Sequence, residues 1–225
     1  MAHENDQGGA ELVPKRGPGD LPLDIAAVVT SAVPWLGGPV SAVLSGISFG
    51  RKYERVREVL NGLAEDLRDF KSKASEEYVK KEEFEELLEK TLRQAAEERS
   101  GEKRSIYRSF LTDEIRSPGK PYDEQLHFLR TLEELQPDHI RVIKALAHPP
   151  EGGRGIAGSP LQTLSSRLPD MPPERIEALI LQLNDMRLTA MTSLKTLMTF
   201  HGAQELRHSL TPHGRRFLEF IRKAD

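Results

Sequence analysis

Three histidines near the C-terminal end are the first side chains whose type and spacing could support chemistry. His201, His208 and His213 lie close together in the chain. A histidine-based zinc site needs convergent side chains and usually tighter spacing, with cysteine or HExxH partners that this sequence lacks. The three residues are therefore predicted to be ordinary surface or packing histidines, and no metal or cofactor site is predicted.

A run of carboxylates is the second candidate. It comprises Glu82, Glu83, Glu85 and Glu86. Paired carboxylates catalyse acid–base reactions only where burial in a cleft shifts their pKa values. On an amphipathic helix these side chains are predicted to be solvated charges.

A glycine-rich segment, Gly153 to Gly158, matches the pattern GxGxxG. The dinucleotide-binding fingerprint needs a preceding strand and a surrounding βαβ unit. Here a predicted helix and Pro149-Pro150 come first, so the segment is predicted to be a flexible loop. No Walker motif and no catalytic constellation is found, and the chain is predicted not to be an enzyme.

Charge is distributed unevenly along the chain. The formal net charge is −3, but residues 1–137 hold 20 Lys and Arg against 26 Asp and Glu, whereas residues 138–225 hold 12 against 9. The C-terminal part is thus mildly basic, well short of a strong nucleic-acid footprint. There is no cysteine, which excludes disulfides and thiolate metal sites.

The elements that would position any site begin with an apolar stretch, residues 21–50, which carries no charge from Ile25 onward. Its apolar residues recur at helical spacing, and Pro34 and Pro39 divide it, which predicts a helical hairpin. Each arm has about ten residues, whereas a membrane-spanning helix needs about 20. Two interpretations stay open: a hairpin buried in a helical core, and a membrane-active hairpin masked in the soluble protein. The membrane or partner contacts would then be Trp35, Leu36, Val40, Val43, Leu44, Arg51, Lys52 and Arg55.

The predicted fold is mainly α. Residues 1–20 are predicted to be a disordered tail because they are polar and glycine-rich. Residues 21–136 are predicted to form a helical bundle with the apolar hairpin. After the hairpin, a helix is predicted over 51–72, and Ser75 is predicted to cap a short helix that follows. Longer helices are predicted from Lys80 to an interruption at Ser100-Gly101, from there to Pro118-Gly119, and over 123–135.

Residues 137–225 show a different pattern. Three short helices are predicted over 138–147, 161–167 and 173–187, then a β-prone segment over 188–200 and a last helix from Pro212. Three helices, a β-hairpin and a flanking helix are the element order of a winged helix. The segment 149–158 would be the loop between its first two helices.

The third of these helices decides between partners. It holds three acidic residues and two arginines, a poor surface for DNA because phosphate neutralisation dominates affinity. A protein-docking winged helix is therefore predicted. The alternative is a DNA-binding transcription regulator whose basic wing and tail comprise Lys195, Arg207, Arg215 and Arg216.

Three places in the chain are Val33-Pro-Trp-Leu-Gly-Gly-Pro39, the segment 128–140, and Leu210-Thr-Pro-His-Gly-Arg-Arg-Phe217. In these places the chain resembles the Abi-alpha group of bacterial proteins, which is linked to abortive phage infection. The resemblance implies a bacterial defence role without established catalytic residues. The absent catalytic motifs, the charge-free hairpin and the acidic third helix predict that the winged helix docks a protein partner or a second copy and that the helical part carries the response. We expect a cytoplasmic protein, held at the periphery of the inner membrane if the hairpin inserts.

Overall fold

The computed structural model describes residues 34–46, 50–68, 70–148 and 156–222. Within these ranges the chain is mainly helical, as predicted. The predicted tail, the first arm of the hairpin and most of the predicted loop at 149–158 lie outside the described residues.

Six helices make up the N-terminal part that the structure describes. They are α1 (Gly37–Ser45), α2 (Arg51–Asp66), α3 (Lys73–Tyr78), α4 (Glu82–Glu97), α5 (Gly101–Arg116) and α6 (Tyr122–Glu134), and a 3-10 turn (Pro34–Leu36) precedes α1. Helix α2 lies against α4 and α5, and α4 also contacts α1 and α6. The apolar faces predicted for α2, α4 and α5 are confirmed, since their residues are buried.

The second arm of the hairpin differs in detail from the prediction. Gly37, Gly38 and Pro39 were predicted to form the turn, but they form the first turn of α1. The first N–H groups of a helix have no acceptor within it, so a proline there forfeits no hydrogen bond.

Two helix boundaries also differ. The helix predicted to reach Ser72 ends at Asp66, and Ser72 itself caps α3 by accepting a hydrogen bond from the Ser75 N–H at 3.3 Å. Ser75, the predicted cap, is buried inside α3. The predicted interruption at Ser100 is confirmed, because its hydroxyl caps α5 by accepting from the Lys103 N–H at 3.3 Å.

The C-terminal part continues with short elements. They are α7 (Pro137–Ala147), β1 (Ile156–Gly158), α8 (Pro160–Arg167), α9 (Pro173–Asp185), β2 (Met198–Thr199), α10 (Phe200–Gln204), a 3-10 turn (Glu205–Ser209) and α11 (Pro212–Arg222). Helices α7, α8 and α9 contact one another. Each of them begins with a proline in its first turn, where the fixed φ of proline suits a helix start.

The β-prone segment 188–200 does not form the predicted hairpin. Only β2 is a strand there, and it pairs antiparallel with β1, Ile156 opposite Thr199. The start of the segment pairs elsewhere, because the Ala190 N–H donates to the Ser209 carbonyl at 2.7 Å and the Leu188 carbonyl accepts from the Thr211 N–H at 3.1 Å. The Asn184 side chain takes both backbone groups of Met191, donating to its carbonyl at 2.8 Å and accepting from its N–H at 3.1 Å. These bonds occupy backbone groups that the predicted hairpin would have paired.

One buried apolar cluster extends from Leu36 to Ile221. The last helix, α11, joins it by packing Phe217 and Phe220 against Phe128 of α6, and Phe220 against Phe110 of α5, with ring centroids 5.3–5.8 Å apart. Among the described helices, none has the length and apolar character needed to cross a bilayer.

Candidate protein-docking surface

The outward face of α9 is the first part of the candidate site. Exposed residues recur there at intervals of three or four positions, about one helical turn: Glu174, Ala178, Leu181, Gln182 and Asp185. Leu181 is 57% exposed, and it is one of two large apolar side chains that are exposed among the described residues. We refer to these five residues as the α9 face.

The segment after α9 is held beside this face. Lys195 forms an ion pair with Glu177 of α9 at 3.0 Å, and Glu177 lies one turn before Leu181. The Leu194 carbonyl accepts from the Leu161 N–H of α8 at 2.9 Å. Leu197, two residues after Lys195, is 68% exposed. The structure therefore presents two exposed leucines on α9 and on the segment tied to it.

The charge of the α9 face is negative. Arg175, the one cation within α9, turns away from it and bonds to Asp138 at 3.3 Å and to Gln136. The exposed acids Glu174 and Asp185 are left on the outward side. This arrangement repels a phosphate backbone and attracts cationic side chains.

The four residues predicted for nucleic-acid contact differ in how far their charges are already engaged. Lys195 is paired with Glu177 of α9, and Arg216 is paired with Glu124 of α6 at 2.7 Å. Arg215 is exposed and donates to the Leu210 carbonyl at 2.8 Å, while Arg207 is exposed in the 3-10 turn. Two of the four charges are thus engaged with carboxylates on different helices.

The apolar residues predicted for membrane or partner contact lie in the core. Leu36, Val40 and Leu44 are buried, and Val43 is half-buried and packs against the core. The side chain of Trp35 lies outside what the structure describes. A membrane contact by these residues would need α1 to leave its site against α4.

The basic residues that follow α1 bind the end of α4. Arg55 donates to the carbonyls of Ala96 and Glu97 at 2.9 and 3.1 Å, and Lys52 pairs with the Glu97 carboxylate. Cations at a helix C-terminus stabilise the carbonyl groups that have no partner there. Arg51 is exposed.

A cleft of about 640 Å³ lies between these helices, but its charges are already paired. Lys103 bonds to Glu98 at 2.7 Å, Lys90 to Glu133 at 3.4 Å, and Arg93 pairs with Glu89. Tyr107 also lines the cleft, and burial raises its pKa. With Lys52 paired to Glu97, each of the four cations in the lining is paired with a carboxylate.

The carboxyl group whose pKa is raised by burial lies outside this cleft. Burial raises the pKa of Glu114, which bonds to Lys120 at 3.0 Å and to the Tyr78 hydroxyl at 3.1 Å between helices. The glutamates predicted to be solvated, Glu82, Glu83, Glu85 and Glu86, are exposed. Among the described residues, no group of three or more side chains is arranged to hold a metal ion.

The glycine-rich segment ends in a strand, not in a loop. Residues 153–155 lie outside the described part, while Gly158 closes β1 with a φ of 86°. A Cβ there would lie 2.4 Å from the Gln162 side chain that caps α8, which explains the glycine without a nucleotide.

The histidines are not grouped as their sequence positions suggest. His213 faces His127 of α6, with 3.2 Å between the two Nε2 atoms, while His208 pairs with Glu205 and His201 is exposed on α10. Burial, and then the facing His127, lower the pKa of His213.

Sequence reasoning overlooked Leu181, Leu197 and His127. A leucine out of phase with the buried stripe of Ile176, Leu179, Ile180 and Leu183 was the available signal for Leu181. No such signal existed for His127, since its partner lies 86 residues away.

No family model, curated protein or solved structure matches this chain.

Proposed function

We propose that the chain is a non-enzymatic protein whose C-terminal part, residues 137–225, is a winged-helix-like module that docks a protein partner. The order α7, β1, α8, α9, β2 supports this, because a winged helix also pairs a strand after its first helix with one after its third. In this reading α9 takes the place of the recognition helix. The segment that Lys195 ties to α9 takes the place of the wing.

The observation that carries the proposal is the exposure of Leu181 within an acidic face of α9. An apolar side chain at the centre of a polar, charged surface is the arrangement of a protein interface. The partner is accordingly a protein segment that buries an apolar side chain against Leu181 and places lysine or arginine opposite Glu174 and Asp185.

The resemblance to Abi-alpha proteins supports placing this docking in bacterial defence, in the cytoplasm. The helical part, residues 21–136, would then carry the response. A response at the membrane would require release of α1, because Leu36, Val40 and Leu44 are buried.

Site-specific photo-crosslinking on the full chain tests the docking. A photoreactive amino acid is placed at Ala178, which is exposed on the α9 face and leaves Leu181 intact. The matched control position is Glu83, exposed on α4. We expect a discrete protein adduct from position 178 in the source cells, none from position 83, and loss of the adduct when Leu181→Glu is added.

Two results would contradict the proposal. One is an adduct that persists unchanged with Leu181→Glu, since the partner would then not use the α9 face. The other is a salt-dependent retardation of duplex DNA by the full chain that disappears with Arg207→Ala and Arg215→Ala. That result would support the transcription-regulator alternative, because loss of phosphate contacts lowers both affinity and salt dependence.

A further inference from the structure

The contact between His127 and His213 has the spacing of two nitrogen ligands of one metal ion. The two Nε2 atoms lie 3.2 Å apart, one on α6 and one in the first turn of α11. Zinc binds histidine nitrogen at about 2.0–2.1 Å in a tetrahedral arrangement, which separates two nitrogen ligands by about 3.3 Å. Both rings thus already present their Nε2 atoms at the spacing that a zinc ion requires.

The surroundings hold one of the rings in place. His213 stacks on Phe128, with ring centroids 5.5 Å apart and 28° between the planes, and Phe128 is itself buried in the aromatic cluster under α11. His127 is exposed, so an ion can enter from solvent and keep water in its remaining positions. Ligands that are fixed before binding lose little freedom when the ion arrives.

A second pair lies one turn away on both helices. Glu124 precedes His127 by three residues, Arg216 follows His213 by three, and the two bond at 2.7 Å. Residues three apart lie on the same face of a helix, so Glu124 is beside the histidine pair. Two histidines and one glutamate form a known zinc ligand set. Without metal, Glu124 is bonded to Arg216, so only the two histidines are in position to bind the ion. Glu124 would become a third ligand by leaving Arg216.

We propose that His127 and His213 form a binding site for a divalent transition-metal ion, with Zn²⁺ as the ion of best fit, which fastens α11 to α6. This differs from the sequence-based expectation of no metal site, which considered His213 only with its neighbours in the chain. Without metal, the neutral rings share one hydrogen bond. With metal, each Nε2 gives its lone pair to the ion, and the ring that carried its proton on Nε2 carries it on Nδ1 instead, so that both rings bind as neutral imidazoles.

Calorimetric titration of the full chain with zinc chloride at neutral pH tests the site. We expect one zinc ion per chain, and a loss of affinity of more than about tenfold in both His127→Ala and His213→Ala. His201→Ala is the control, because His201 is exposed on α10 away from this contact. His127 is itself exposed, so His127→Ala is expected to keep the fold, which circular dichroism verifies.

A direct signature distinguishes the site from a structural effect of these substitutions. In nuclear magnetic resonance spectra of the wild-type chain, zinc should shift the imidazole signals of His127 and His213 and leave that of His201 in place. Absence of zinc binding, or binding that survives both alanine substitutions, would overturn the proposal.

The substitution Arg216→Gln tests whether Glu124 can act as the third ligand. Removing the arginine takes away a positive charge beside the ion and frees Glu124, so the affinity for zinc should rise several-fold. Unchanged or weaker binding would overturn the role assigned to Glu124.

Discussion

His139 donates a hydrogen bond from Nε2 to the Oε1 atom of Gln182 at 2.7 Å, and this bond joins the start of α7 to α9. The Gln136 N–H donates to His139 Nδ1 at 3.0 Å, so Nδ1 must be an acceptor and the proton of the neutral ring lies on Nε2. Burial lowers the pKa of His139, the bond to Gln182 opposes that shift, and the Arg175 charge adds to it. Protonation would put a second hydrogen on Nδ1 and break the bond from Gln136.

We expect this histidine to make the fold less stable in mild acid. Because its pKa is lower in the folded than in the unfolded protein, the unfolded state binds the proton more readily. The stabilisation is complete above the ordinary histidine pKa of about 6.5 and is lost as the pH falls through the folded pKa. Urea unfolding from about pH 7.5 to pH 5 measures it. His139→Gln, which does not titrate, should show a weaker pH dependence, and equal slopes for the two proteins would contradict the assignment.

Gly214 marks the closest approach between α11 and the segment after α9. A Cβ at this position would lie 1.9 Å from the backbone oxygen of Leu188, which cannot move aside as a side chain could. We expect Gly214→Ala to lower the free energy of unfolding by roughly 1–3 kcal/mol, despite the better helix propensity of alanine. Gly38→Ala in α1 is the control, since nothing lies within 4 Å of its added Cβ. Thermal unfolding compares the two, and a stable Gly214→Ala protein would mean that α11 lies further from Leu188.

Leu44 tests whether α1 belongs to the core. It is buried, so Leu44→Ala should lower the free energy of unfolding by roughly 2–5 kcal/mol through lost burial and a residual cavity. Ser41→Ala on the exposed side of α1 should change it by less than about 0.5 kcal/mol. Equal effects of the two substitutions in urea unfolding would show that α1 is not packed in solution.

Trp35 reports whether α1 leaves the core at a lipid surface, because it is the single tryptophan of the sequence. With α1 held by Leu36, Val40 and Leu44, we expect its fluorescence emission to stay unchanged when vesicles of anionic lipid are added. A blue shift together with vesicle leakage would instead support the membrane-active hairpin.

Asp66 connects α2 to α5. It accepts from Arg108 Nε at 2.6 Å and from the Thr112 hydroxyl at 3.0 Å, and the Arg108 bond is the main reason that its pKa is lowered. We expect Asp66→Ala to cost roughly 1–3 kcal/mol of unfolding free energy, against little change for the exposed Glu77→Ala in α3. A depressed carboxyl pKa stabilises the fold above the ordinary value of about 3.9, so the difference between the wild type and Asp66→Ala should shrink as the pH falls below it. A constant difference would contradict the ion pair.

Local features account for the part of the fold that the sequence predicts. The buried stripes of α2, α4 and α5 follow from helical periodicity, and the prolines at the starts of α7, α8 and α9 from the missing N–H of proline. The same reasoning identified the acidic character of α9. It did not identify Leu181 as exposed, although Leu181 lies out of phase with the buried apolar stripe of α9.

By itself, therefore, the sequence determined where helices form and which faces they bury, since those properties depend on residues three or four apart. Tertiary structure alone decided that, in place of the expected hairpin, β2 pairs with β1 and residues 188–190 pair with residues 209–211. It also decided that His213 meets His127 and not His201 or His208. The physical reason is that α11 buries Phe217 and Phe220 against Phe110 and Phe128, and this packing carries His213 to α6 regardless of its neighbours in the chain.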